Sequence, residues 1–164
     1  MIKLVRVDHR LLHGQVIFSW TKQYDINHII VADNKVPGDP MSVMALTIAK
    51  PADCKLDIVK ISDVKGIMET SPNDNYMILI KGPKEAFELV QNLPEIKEIN
   101  FGGVSKKSES KQYGKAVFLT PEELEATKKI LDQEVKIFVQ QVPSSSIENV
   151  DFSKIGRASC RERV

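Results

Sequence analysis

The stretch VRVDHRLLHGQV, residues 5–16, joins two kinds of chain. The apolar run that leads into it makes residues 2–7 a strand. The GQVIFSW at and beyond its end places Val16, Ile17, Trp20 and Tyr24 at helical spacing, so 14–24 reads as a helix. Arg6, Asp8, His9, Arg10 and His13 crowd the junction. In an α/β protein such a junction lies at the carboxyl end of a strand, where ligands bind.

The same alternation runs outward from this point. Strands are expected over 28–32, 56–61, 75–81, 95–101, 116–119 and 134–140. Between them, 39–50 opens with Asp39 as N-cap and Pro40 at the first helical position. Ser62 caps a short helix over 62–70, and 82–93 again starts at a proline. Thr120, Pro121 and Glu123 form a capping box at the head of a helix over 120–133. The polar GGVSKKSESKQYG, 102–114, reads as a long loop. These units predict one α/β domain with a mostly parallel, open twisted sheet of about seven strands. Right-handed crossovers then place helices on both faces. The domain is expected over 1–155. The arginine-rich GRASCRERV, 156–164, has no periodic apolar face and reads as a foreign or frayed tail.

Composition excludes several classes. The chain has 164 residues, 42% hydrophobic and 27% charged, with a net charge of +1. That balance fits a globular domain and supplies no field for nucleic acid or an anionic membrane. The apolar runs are too short to span a bilayer, and no secretory signal is visible. Two cysteines, Cys54 and Cys160, do not make a disulfide framework, so a reducing cytoplasm is the expected compartment. Three histidines and no paired cysteines argue against a metal site.

The chemistry of the junction points to an anion. Helix N–H groups and dipole favour negative charge above the strand ends, and Arg10 adds planar donors suited to phosphate. A histidine there is a nucleophile for a phosphoryl group, since the reference pKa near 6.5 leaves much of it neutral. Asp8 can fix its tautomer, and Gly14 lets the backbone approach closely. Solvation of a charged loop explains the same residues by composition alone. The NFGGV stretch, 100–104, with Asn100, Gly102 and Gly103, reads either as a second anion loop or as a tight turn. Asp33 ends the second strand on the same rim as His13. Lysines 106, 107, 111 and 115 form either a basic lip or a solvated loop.

The segment RVDHRLLHGQV resembles the phosphorylation-site segment of the IIB components of the mannose/fructose/sorbose family of the bacterial sugar phosphotransferase system (PTS). Arg6, Asp8, Arg10, Leu11, His13, Gly14, Gln15 and Val16 fit its pattern. His9 stands where that family often has an acidic residue. IIVADNKVPGDPMSVMALTIAKP, INFGGV and FVQQVPSS are similar to further family stretches, in the same order over about residues 1–150. The resemblance implies that His13 carries the phosphoryl group, Arg10 stabilises it and Asp8 orients the loop. Arg6, Gly14, Gln15, Asp33, Asn100, Gly102 and Gly103 are carried along as support for loop or phosphate.

It further implies a relay. A IIA phosphohistidine donates to His13, and phospho-His13 donates to a sugar held by membrane IIC and IID partners. This is a protein-phosphohistidine–sugar phosphotransferase with no metal or organic cofactor, cytoplasmic and joined to the membrane only through IIC and IID. The sugar, the oligomeric state and whether IIA is a separate chain stay open, as does the phosphorylated ring nitrogen, for which the resemblance implies Nδ1. Two other readings stand beside this one: a phosphate or small-anion binding module, and a regulatory phosphocarrier that passes nothing to sugar. Covalent labelling separates the first, and transfer to sugar in the presence of membranes separates the second.

Overall fold

The computed structural model describes residues 1–154. The strands are β1 (Ile2–Asp8), β2 (His28–Ala32), β3 (Lys55–Val59), β4 (Tyr76–Ile80), β5 (Glu98–Gly103), β6 (Lys111–Gly114), β7 (Val117–Leu119) and β8 (Lys136–Val139). The helices are α1 (Gly14–Gln23), α2 (Pro40–Ala49), α3 (Val64–Thr70), α4 (Pro83–Asn92) and α5 (Pro121–Asp132). Six strands form one sheet in the order β3-β2-β4-β1-β5-β8, and every neighbouring pair is parallel.

A parallel sheet is covered on both faces, which is why β2 (HIIVA) and β4 (YMILI) are buried at every position. Alternate residues serve two cores. Ile29, Val31, Met77 and Leu79 pack with Ile17, Trp20 and Leu46 of α1 and α2. Ile30, Ile78 and Ile80 pack with Val64, Ala86, Leu89 and Ile130 of α3, α4 and α5. Right-handed crossovers demand this division. Steps toward β3 pass over one face, and steps toward β8 pass over the other.

Helix starts follow their signals with two changes. The Thr120–Glu123 capping box is present, with both reciprocal hydrogen bonds. Asp39 occupies the cap of α2, but its Oδ2 accepts from Ser42 Oγ at 2.7 Å rather than from a backbone N–H. Ser62 lies in a 3₁₀ turn (Ile61–Asp63), and Asp63 is the residue that precedes α3.

One expectation fails. The segment 116–119 does not join the sheet, and 102–114 is not loop throughout. β7 pairs antiparallel with β6 in a separate ribbon, Lys111 opposite Leu119 and Gln112 opposite Phe118. The described residues therefore hold eight strands, six of them in the sheet, where about seven were expected. KQYG carries no apolar alternation, so its strand depends on the partner lying opposite rather than on its own pattern. The chain after β8 then crosses this ribbon. Glu148 bridges to Val139 and accepts from the Lys115 N–H, while Phe152 packs on Phe101 and Tyr113. The tail expected at 156–164 lies outside the described residues.

The strand order fixes where a site can form. β1 leads across β4 toward β2, whereas its neighbours β4 and β5 lead toward the opposite edge. The chain thus reverses direction at the carboxyl end of β1, the place where open α/β sheets bind ligands.

Candidate functional site

Leu4, Arg6 and Asp8 alternate onto the β1 face that α1 covers. Arg6 and Asp8 are wholly buried there. Arg6 Nη2 donates to Asp8 Oδ2 at 3.0 Å, and Nη1 donates to Asn100 Oδ1 and to the Gln140 carbonyl at 3.2 Å. Its guanidinium lies 5.4 Å from the Trp20 ring, a cation–π contact inside the core. Burial lowers the Arg6 pKa, against the upward pull of the Asp8 charge.

Asp8 is the hub. Its Oδ1 accepts from the Arg10 N–H at 3.0 Å and from Arg10 Nε at 3.1 Å, and its Oδ2 accepts from Arg10 Nη2 at 3.2 Å. Burial pushes the Asp8 carboxyl up, but the Arg10 hydrogen bonds and the Arg6 charge outweigh it and hold it below the usual range. Two imidazoles face the two oxygens of this one carboxylate. His13 Nε2 lies 3.7 Å from Oδ2, and His9 Nδ1 lies 3.9 Å from Oδ1. Both ring nitrogens are buried and lack a hydrogen-bond partner.

His13 sits at the N-cap of α1 and makes no side-chain cap bond there. The first-turn N–H groups of the helix stay open, as an anion requires. His13 Nδ1 is 3.1 Å from the Leu11 carbonyl. Leu11 (φ 57) and Gly14 (φ 45) both adopt left-handed backbone, so the chain turns sharply on either side of His13. A β-carbon at Gly14 would meet nothing within 4 Å, so its glycine serves conformation rather than room.

The NFGGV stretch belongs to the same site because β5 pairs with β1, Arg6 opposite Asn100. A register shift between Val7 and Asp8 sets Asp8 opposite Gly103. A β-carbon at Gly102 would run into the Arg6 guanidinium. At Gly103 it would lie 3.5–3.7 Å from Asp8, His9 and Arg10. Gly102 therefore makes room for the Arg6 side chain, whereas Gly103 is in ordinary contact with the cluster.

Two residues stand apart. Asp33 is at the carboxyl rim, but β4 separates its strand from β1. Its Oδ2 caps the next turn, accepting from the N–H groups of Lys35 and Val36 at 3.0 and 2.9 Å. Gln15 is exposed on the first turn of α1. The Gln140 and Gln141 carbonyls, which accept from Arg6 Nη1 and Trp20 Nε1, leave no mark in the residue pattern, because any residue type supplies a carbonyl. His28 is buried at the other end of the sheet, between Asp57 and Asp74. Among the described residues, no three His, Cys, Asp or Glu side chains are placed to hold a metal ion, and no helix is long and apolar enough to cross a membrane.

Comparison with known proteins agrees with this frame. The fructose-specific EIIB component of the PTS of Bacillus subtilis is 28% identical over 158 residues, 95% of this chain and 96% of that protein. The mannose-specific EIIAB component of Escherichia coli is 30% identical over 147 residues, 87% of this chain and 45% of the longer relative. The crystal structure of the IIBSor domain of the Klebsiella pneumoniae sorbose permease superposes with a TM-score of 0.85. It is 27% identical and covers 91% of this chain and 93% of its own. The family model for the PTS system sorbose subfamily IIB component matches residues 2–161, and the chain belongs to that family.

Proposed function

We propose that His13 is the phosphoryl carrier of this IIB component, taking the group from a IIA phosphohistidine and passing it to a sugar held by membrane IIC and IID partners. One observation carries the reading. His13 stands at the open N-terminus of α1, beside a buried Arg6–Asp8–Arg10 network at the point where the sheet reverses direction. The E. coli relative named EIIAB favours a IIA donor, since its name joins the two components.

The geometry divides the work. Each transfer is an in-line displacement in which positioning and electrostatics supply most of the catalysis. Nδ1 of His13 takes the phosphoryl group. Nε2 is buried against the Asp8 carboxylate, whose charge repels a phosphoryl dianion. The Asp8 charge instead favours the Nε2–H tautomer once Nδ1 leaves the Leu11 carbonyl, which frees the Nδ1 lone pair. Nδ1 exchanges the Leu11 carbonyl for the phosphoryl group as the ring turns outward. Arg10 grips Asp8 through Nε and Nη2, which leaves Nη1 to face the transferred group. The protein works at the cytoplasmic face of the membrane, and the sugar is released phosphorylated inside the cell.

The test is incubation with labelled phosphoenolpyruvate, the general phosphocarrier proteins and a IIA protein. Acid-labile label is expected on the wild type and absent from a folded His13→Ala variant. Adding membranes that carry IIC, IID and sugar then discharges the label. Label retained by the His13→Ala variant and lost from a His9→Ala variant removes His13 from the role.

A further inference from the structure

A shallow cleft of about 370 Å³ opens beside Arg10. His9 and Arg10 line it from the end of β1, and Lys106 lines it from the loop after β5. Ala116 and Phe118, just before and on β7, add a half-buried apolar surface over the buried Val104. None of the described residues that line it is acidic.

The four lysines of this region are not equivalent. Lys107 Nζ is 3.1 Å from Glu123 Oε2 and donates to the Ser105 carbonyl at 3.0 Å, so its charge is already used. Lys111 sits on β6 and lines a different hollow with Glu109 and Tyr113. Lys106 is the lysine that reaches this cleft, and it is exposed. The cleft thus joins two cations to an apolar wall, and Arg10 links it to Asp8, whose Oδ2 lies 3.7 Å from His13 Nε2. A dianion attached to a flat, weakly polar ring suits that lining. A phosphorylated imidazole is such a group.

We infer that this cleft receives the phosphoryl donor, and that Lys106 positions the incoming phosphoryl group while the half-buried Ala116 and Phe118 carry the donor's ring. The inference rests on the phosphohistidine reading of His13. In the transfer the donor's P–N bond breaks, and its electron pair stays on the donor ring. The lone pair of His13 forms the new P–N bond, and each ring keeps the proton on its other nitrogen. No further reactant is needed. Lys106 acts before this step, by lowering the free energy of the encounter. It is a positioning residue.

The test measures initial rates of transfer from a phosphorylated sorbose-type IIA protein to the whole chain, with the donor concentration varied. Lys106→Ala should raise the donor KM roughly 5-fold, the worth of about one exposed charge at close range, and leave kcat within about 2-fold. The rise should shrink in high salt. Lys106→Arg should restore the KM, and Lys107→Ala should leave it unchanged. An unchanged KM in Lys106→Ala overturns the inference. So does an equal rise in Lys107→Ala, which would mean general attraction rather than a seat. If the wild type takes no label on His13 at all, the phosphohistidine reading falls. If it does, and Lys106→Ala behaves like the wild type, only the role of Lys106 falls.

Discussion

Arg6 and Asp8 form an ion pair at 3.0 Å with neither side chain exposed to solvent, two residues apart on a central strand. Such a pair stabilises little against an apolar replacement, but breaking it leaves a charge stranded in the core. Arg6 also holds Asn100 of β5 and the Gln140 carbonyl beyond β8, so it ties three strands together. Arg6→Met should lower stability by about 3–5 kcal/mol in urea unfolding. A loss below about 1 kcal/mol would mean that Asp8 finds full compensation in Arg10.

The glycines of β5 give a sharper comparison. Ala at Gly102 meets the Arg6 guanidinium, and Arg6 is held on three sides. Gly102→Ala should cost about 1–3 kcal/mol, as overpacking does. Gly103→Ala should cost under about 1 kcal/mol, because its β-carbon would make ordinary contacts at 3.5–3.7 Å. Equal melting temperatures for the two variants would refute the steric account of Gly102.

Much of this was legible in the residues. Alternating apolar runs and proline-led helices specified the α/β class, and the capping box marked the head of α5. The His13 junction stood out because polar residues there interrupt the expected buried pattern. What stayed hidden was pairing at a distance. Nothing local shows that β5 lies beside β1, so Gly102 and Gly103 read as a loop device, and the room that Gly102 leaves for Arg6 stays hidden. Asp33 shows the opposite error. Its place on the rim was readable, but strand order puts β4 between it and His13.

The lowered Asp8 carboxyl has a consequence for acid stability. A carboxylate whose folded pKa is depressed contributes stability above its unfolded value of about 3.9, and the contribution is lost as pH falls through the folded value. Asp39, Asp74 and Asp151 are lowered as well, so the wild-type slope below about pH 4 is shared among them. Asp8→Asn should be less stable at neutral pH, yet lose less further stability between pH 4 and pH 2 (a chosen range). Urea midpoints of both proteins across that range test this, and parallel curves would show that Asp8 binds its proton equally in the folded and unfolded states there.

Arg10 and Asp8 meet through two guanidinium nitrogens and one backbone N–H, so the same side chain braces the loop and faces the proposed phosphoryl group. A lysine keeps the charge but cannot span both carboxylate oxygens while presenting a further donor outward. The Arg10 side chain is 48% exposed, and Arg6 still neutralises Asp8 without it. Arg10→Lys should therefore shift the melting temperature little. Phosphoryl transfer to and from His13 should slow by about 10-fold or more in both directions, since a positioned donor is lost from the transition state of each. Single-turnover rates with a phosphorylated IIA donor give the forward step. Discharge to unphosphorylated IIA gives the reverse. Slowing in only one direction would shift the transfer equilibrium and make Arg10 a determinant of phospho-His13 stability rather than of the transition state. Unchanged rates in both would leave it as the brace of Asp8 alone.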